Sequence, residues 1–424
     1  MIKILDKFNF LLKKGLFHIL GTSIINNIIQ FFTNIFIVNL VSKSDFGVYS
    51  YANNIMNFFL LLRGLGLTSG LIQFGSESRI NSKRKEIYNF VLVKGSIYNV
   101  ILSIFFLIYV SISNFQFNEA KGYLLAMLFV PFFQWMFDYV TTIFRIKQEN
   151  IKYARLMNIN TVLYFIFSVL GANYLSVVGV ILARYFSFIV SIFIAFYWLR
   201  DDFHDFKLFD YGKYKEKKEC VKYSFTACIT NSLSELLYLL DVFLIGIFVA
   251  NADSIAAYKV ATQIPTALGF IPIGIITFIY PYFANHNKDM KWIKEKSFKL
   301  IGSLALINGV ICLLLYIFSP LIIKILWGSE YMDSLVPLRI LSINFFFLGT
   351  FKIPVGNILA ILRKVKINLI TSVISGIANI ILDIIFIQYF GSLGAALATL
   401  LVVFINISIS LPYLCFCTAK QNKI

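Results

Sequence analysis

The sequence predicts an all-α integral membrane protein of about 12 transmembrane helices, and three observations predict it. Of its 424 residues 59% are hydrophobic and 14% charged, with a mean hydropathy of +0.79. A soluble chain of this size could not carry that composition on its surface. Apolar stretches of about 20 residues, the length that crosses a ~30 Å hydrocarbon layer as a helix, recur along the whole chain. Lysine and arginine, finally, are confined to alternate connections between those stretches.

The spans fall near 16–41, 48–74, 87–112, 122–146, 153–172, 177–199, 223–249, 255–283, 298–319, 334–361, 367–387 and 394–417. The basic segment before the first span resembles a secretory signal. Its apolar run is too long and lacks a small-residue cleavage site, so the expectation is a retained first helix. Pro265, Pro272 and Pro281, with Gly269 and Gly274 between them, should bend or break the eighth span. The second span carries Gly64, Gly66 and Gly70 around Arg63 instead.

Of the 38 Lys and Arg residues, 29 lie at the two termini and in one alternating set of loops. Those groups are Lys3 to Lys14, Arg79 to Lys85, Arg145 to Arg155, the stretch 200–222, Lys288 to Lys299, Arg363 to Lys366, and Lys420 with Lys423. The intervening loops hold Lys43, Lys121 and Lys324, and six cations lie inside spans. Positive charge is costly to translocate against an inside-negative potential, so both termini are expected to be cytoplasmic and the number of spans even. The net charge of +17 is then orientation signal and contact with anionic lipid headgroups. Nucleic acid is not an expected partner, because no polar segment exceeds about twenty residues. Four of the five cysteines lie in spans and Cys220 at a cytoplasmic end, where disulfides are disfavoured. The three histidines, His18, His204 and His286, suggest no metal site.

The segment 220–283 echoes 13–76. Ser23, Asn27 and Asn34 align with Thr230, Ser234 and Asp241, and the turn beginning at Asp45 aligns with the one beginning at Asp253. Arg145-Ile146-Lys147 likewise resembles Arg363-Lys364-Val365-Lys366. The expected organisation is therefore two six-helix bundles, 1–205 and 206–424, joined by the charged connector at 200–222. An even number of spans per half makes the repeat parallel, with its pseudo-two-fold axis along the membrane normal, the plan of a transporter with a central cavity.

Polar residues on the first helix of each half fit that plan. Ser23, Asn27, Gln30 and Asn34 share one helical face, as do Thr230, Ser234, Tyr238 and Asp241. Such stripes are expensive in lipid and should face a cavity or another helix, where interhelical hydrogen bonding would explain them equally well.

The turn "SDFGVYSYA", the stretch "AAYKVATQIPTALGFIPIGIITFIYPYFA", the sequence "LWGSEYMDSLVPLRILS", the run "ILAILRKVKINLITSVISGIANIILDIIF" and "GSLGAALATL" together resemble a Wzx-type polysaccharide flippase of the multidrug/oligosaccharidyl-lipid/polysaccharide (MOP) exporter superfamily. The resemblance runs in order along nearly the whole chain. It implies a multi-pass protein of the bacterial inner membrane that translocates an undecaprenyl-diphosphate-linked oligosaccharide to the outer leaflet for O-antigen or capsule assembly. It further implies a polymerase and a chain-length regulator as neighbours, no catalytic residue and no cofactor.

A sugar diphosphate needs a hydrated, positively charged path through the low-dielectric layer. Arg63 and Lys352 lie near the middle of their spans, Lys94 and Arg184 at intermediate depth, and Lys259 and Arg339 close to the outer ends. All six are candidate substrate-binding residues, although the last two could snorkel to the outer headgroups. Asp241, Glu235, Asp138 and Asp383, with Asn27, Gln30, Asn34 and Ser234, are the candidate polar-cavity or ion-coupling residues. Pairing of one of these acids with Arg63 or Lys352 is an equal expectation. Two other functions fit less well. A multidrug antiporter of the same superfamily should favour an acidic or aromatic cavity, and an oligosaccharide polymerase or ligase should display a large outer loop with catalytic residues.

Overall fold

The computed structural model describes residues 16–78, 80–203 and 216–419; the N-terminal lysines, most of the central connector and Lys420 with Lys423 lie outside the described residues. The chain divides into two compact units, Met1–Leu239 and Leu240–Ile424. The first contains α1 (Leu16–Leu40), α2 (Lys43–Leu60), α3 (Leu67–Glu77), α4 (Asn81–Ile112), α5 (Asn118–Ala126), α6 (Val130–Ile146), α7 (Asn150–Trp198), α8 (Arg200–Phe203) and most of α9 (Lys217–Phe248). The second contains α10 (Ala252–Leu268), α11 (Phe270–Asn285), α12 (Met290–Leu326), α13 (Leu335–Phe347), α14 (Ile353–Ile361), α15 (Val365–Phe390) and α16 (Ser392–Ala419). Among the described residues, ten helical stretches are long and apolar enough to cross a membrane, and every regular element is a helix. The protein is a multi-pass membrane protein.

One of the ten stretches holds two spans. The 49 residues of α7 would measure roughly 74 Å as a single helix, more than twice the hydrocarbon thickness. Ser176 breaks it, with φ 51° and ψ −136°. The two arms then meet backbone to backbone, because a Cβ on Gly179 would lie 2.0 Å from the Gly171 carbonyl oxygen. The same turn recurs in the second unit, where Gly391 between α15 and α16 has φ 58° and ψ −135° and a Cβ on Gly394 would lie 2.0 Å from the Phe386 oxygen. Gly391 and Gly394 stand 215 positions after Ser176 and Gly179. Gln148 and Arg363, each with φ 58°, share that spacing. So does a hydrogen bond between the arms: Asn160 Nδ2 donates to Ser191 Oγ at 3.2 Å and Asn406 Nδ2 to Ser375 Oγ at 3.3 Å, with donor and acceptor exchanged between the arms.

Side-chain caps start the second helix of each expected half. Ser42 Oγ accepts from the Asp45 N–H at 3.1 Å, and Asn251 Oδ1 accepts from the Ser254 N–H at 3.2 Å. Beyond α2 the helix breaks at Arg63–Gly66, where Gly64, Leu65 and Gly66 all take positive φ. Gly66 is required there twice over: its φ is +72°, and a Cβ would lie 2.4 Å from the Ser224 carbonyl of α9. The freed backbone groups are satisfied, as they must be within a membrane. Asn99 Oδ1 accepts the Gly64 N–H at 3.2 Å, and Ser232 Oγ donates to the Leu61 carbonyl at 3.0 Å. Trp135, fully buried, wedges between Gly64 and Gly95 and heads a core that includes Tyr88, Tyr139, Ile143 and Phe144.

In the second unit the proline-rich span is interrupted at Gly269, between α10 and α11. Pro272 on the far side of that interruption packs against Gly349. Gly349 belongs to a single wide i→i+5 turn, Leu348–Lys352, that separates α13 from α14. An inserted turn of this kind leaves one residue extra per turn and re-aims the side chains that follow it.

Candidate functional site

The break in the second span presents Arg63 at its first position. Arg63 Nε lies 2.7 Å from Asp138 Oδ2 on α6, and Nη1 donates to the Leu60 carbonyl at 2.9 Å. About a third of each charged side chain stays accessible, 35% for Arg63 and 32% for Asp138. The structure thus joins a sequence-derived cation to a sequence-derived acid, and a single-turn break delivers the cation.

Arg184, on the second arm of α7, lies deeper in the first unit's helix packing. Its Nη1 donates to Asn53 Oδ1 at 3.0 Å and its guanidinium carbon stands 5.8 Å from the centre of the Tyr164 ring. Tyr49 completes its surroundings. Lys94 is half-buried on α4. Asn27, Gln30 and Asn34 lie on the exposed side of α1, whereas Thr22, Asn26 and Thr33 are the polar groups that α1 buries. Glu235 on α9 is exposed, and the side chain of Ser234 lies outside the described residues.

Acids dominate the second unit's buried cluster. Asp241, near the end of α9, accepts hydrogen bonds from the hydroxyl of Tyr258 on α10 and from Thr399 Oγ1 on α16, the latter at 3.1 Å. Asp383 of α15 is fully buried beside Asp241, and among the described residues no hydroxyl or amide donor reaches its carboxyl oxygens. Two adjoining carboxyl groups in a low-dielectric medium need a shared proton or a cation between them. Lys259, one residue past Tyr258, contributes positive charge near Asp241.

Lys352 occupies the last position of the wide turn, half-buried and without an ion pair among the described residues. Arg339 is held toward α12, its Nε 3.0 Å from Ser319 Oγ and its guanidinium carbon 4.9 Å from the centre of the Tyr316 ring. That is the placement of a cation tied to a neighbouring helix near a span's end.

Sequence reasoning missed Asn53, Tyr164, Tyr258 and Thr399. The "GSLGAALATL" motif contains Thr399, but its small residues suggest helix packing. Only the +215 relation to Arg184 would have pointed to it as a polar-site residue.

Helix breaks that carry intramembrane charge, in a multi-pass all-helical chain without a soluble domain among its described residues, define a transporter fold. Residues 11–287 match the model of the polysaccharide biosynthesis protein family. The chain belongs to that family. A protein of Shigella flexneri named as an O-antigen transporter is 26% identical over 277 residues, 65% of this chain and 63% of its own length; the chain thus spans somewhat under two thirds of that relative. The fold is shared with the lipid II flippase MurJ in an inward closed conformation, at a TM-score of 0.74 and 17% identity over 95% of this chain and 87% of that one. It is equally shared with an inward-facing multidrug resistance MATE family transporter of the MOP superfamily, at 0.74 and 15% identity over 94% and 96%. These relatives are transporters and flippases, not enzymes.

Proposed function

We propose that this protein is a flippase for an undecaprenyl-diphosphate-linked oligosaccharide, moving it by alternating access from the cytoplasmic to the outer leaflet of a bacterial plasma membrane for O-antigen or capsule assembly. The observation that carries the reading is the polysaccharide-biosynthesis family match on a chain with a transporter fold. The distribution of lysine and arginine supports cytoplasmic termini, and in this reading the bundles 1–205 and 206–424 are the moving bodies. A polymerase and a chain-length regulator are the expected downstream partners.

The residues support the chemistry. Arg63 and Lys352 put positive charge inside spans, where a diphosphate would otherwise lose its hydration at a cost of many kcal/mol. Asp138 restrains Arg63 in the ground state, so the diphosphate competes with a carboxylate for the guanidinium and is not trapped by it. The membrane potential favours the direction, at about 2.3 kcal/mol per charge per 100 mV, so roughly two charges gain about 4–5 kcal/mol if they move uncompensated. The pair Asp241 and Asp383 is where a coupling proton or monovalent cation would ride. Neutralising the two adjacent carboxyls alters what Tyr258 and Thr399 can donate to.

The test is the leaflet position of the lipid-linked glycan in cells with the gene deleted and restored, read with an impermeant glycan-modifying reagent. Cytoplasmic trapping relieved by the intact gene, and not by Arg63→Ala or Lys352→Ala, is expected. Normal outward appearance without the gene, in a host lacking a second flippase, would overturn the reading and favour a small-molecule antiporter.

A further inference from the structure

We propose that Arg184, Asn53 and Tyr164 form a site for one carboxylate group, carried by an acidic sugar of the transported glycan; this rests on the flippase reading above and narrows its substrate. Arg184 lies eight residues past the Ser176 break, about 12 Å along the helix from the turn, too deep for its side chain to reach the headgroups without leaving its partners. Those partners are neutral. They are Asn53 Oδ1 at 3.0 Å, the Tyr164 ring, and the tyrosines at 49 and 185. No Asp or Glu pairs with Arg184 among the described residues, in contrast to Arg63 with Asp138.

An arginine inside a membrane protein without a counter-charge is unfavourable unless an anion or water completes it. Arg184, Asn53 and Tyr164 are each only partly buried. The donor set fits a carboxylate better than a diphosphate. One planar guanidinium offers a two-pronged fork to one negative charge, whereas two phosphates call for more than one cation. Asn53 adds a second donor, because its oxygen is occupied by Arg184 and its amide nitrogen has no partner among the described residues.

The second unit carries the opposite polarity at the matching place. Thr399 stands 215 positions after Arg184, and Tyr258 stands 209 after Tyr49, the spacing that also relates the caps Ser42 and Asn251. Around Thr399 and Tyr258 lie Asp241 and Asp383. One local architecture is thus used twice, once around carboxylates and once around a guanidinium. The guanidinium version is suited to an anion.

The test uses the full-length protein in lipid nanodiscs, titrated with glucuronate, glucose and inorganic phosphate and read by thermal unfolding and tyrosine fluorescence. Glucuronate is expected to bind and glucose not to. Arg184→Gln should weaken glucuronate binding about ten- to a hundredfold, the value of one charge-assisted hydrogen-bonded contact, and Arg184→Lys should fall between the two. Phosphate binding as tightly as glucuronate, or unchanged glucuronate binding in folded Arg184→Gln, would overturn the proposal. If Arg184→Gln does not fold, Asn53→Ala carries the same two outcomes. In cells, two lipid-linked glycans differing only in one sugar, uronic acid or hexose, separate the two levels. Movement of neither by the wild type sinks the flippase reading even where glucuronate binds. Equal movement of both, slowed equally by Arg184→Gln, removes the carboxylate site and leaves the flippase.

Discussion

Arg63 and Asp138 are bound to one another, Nε to Oδ2 at 2.7 Å, across the break that interrupts the second span. The pair holds a cation within a span without leaving it bare, and it ties that break to α6. Removing one partner strands the other's charge, while removing both does not. Asp138→Asn and Arg63→Gln should each lower stability in detergent by about 1–3 kcal/mol, the buried-pair value discounted for the third of each side chain that is accessible. The double variant should lose less than the sum. A double-mutant cycle on thermal unfolding decides it, and strict additivity would mean that the pair contributes nothing.

Glycine is demanded at the break by contact as well as by conformation. Gly66→Ala places a methyl 2.4 Å from the Ser224 carbonyl at a φ of +72°, and should cost roughly 2–4 kcal/mol from strain and overpacking combined. Gly302→Ala is the control: nothing lies within 4 Å of its Cβ in the middle of α12, so a gain of up to about 1 kcal/mol is expected. The amount of monodisperse protein and its melting temperature report both. Equal effects at the two sites would contradict the packing at Ser224.

Between α6 and α7, outside the spans, Lys147 contacts Asp202 at 2.6 Å and Glu149 at 3.4 Å, and Lys152 contacts Glu149 at 2.9 Å. Burial works against the charge of Lys147, but the Asp202 hydrogen bond and the nearby acids outweigh it and hold its pKa above the ordinary lysine value. Glu149 is likewise opposed by burial, yet the Lys152 hydrogen bond and the charge of Lys147 hold it below the usual glutamate value. A lowered acid contributes stability that is present above its unfolded pKa, about 4.3, and is lost as pH falls through the folded value. A raised lysine contributes below its unfolded pKa, about 10.4, and loses that as pH rises through the folded value. The cluster should therefore be intact from about pH 5 to 10. Glu149→Gln should flatten the acid limb of the stability curve by about 0.2–1 kcal/mol, measured as melting temperature against pH.

Helix positions and the break-prone spans were legible because they depend on local chemistry: apolar length, Pro265 and Pro272, and the glycines around Arg63. The places where those spans actually break depend on partners far along the chain. Gly66 reads as one of three glycines until Ser224 is seen against it, and Gly269 is chosen among five Gly and Pro positions by how Pro272 fits Gly349. Charged candidates for the site were legible for the same reason that they are rare, since an ion in an apolar run stands out. Their neutral partners were not. Asn53, Tyr164 and Thr399 look like ordinary helix-packing residues until tertiary contacts bring them to Arg184 and Asp241.

Thr399 offers a separation of packing from ion chemistry at the carboxylate pair. Its hydroxyl donates to Asp241 and also lies 3.0 Å from the Ala395 carbonyl, so it can turn back onto its own helix when Asp241 no longer accepts. Thr399→Val keeps the shape and removes only the donor, and should cost about 0.5–1.5 kcal/mol of stability. Asp241→Asn removes the charge and keeps most of the shape. If the pair carries a coupling proton or cation, Asp241→Asn should abolish the response of glycan translocation to an imposed ion or pH gradient, while Thr399→Val shifts that response without removing it. Proteoliposomes with the gradient clamped across the membrane make the measurement. A gradient response that survives Asp241→Asn unchanged would assign Asp241 and Asp383 to holding α9, α15 and α16 together and would place any coupling elsewhere.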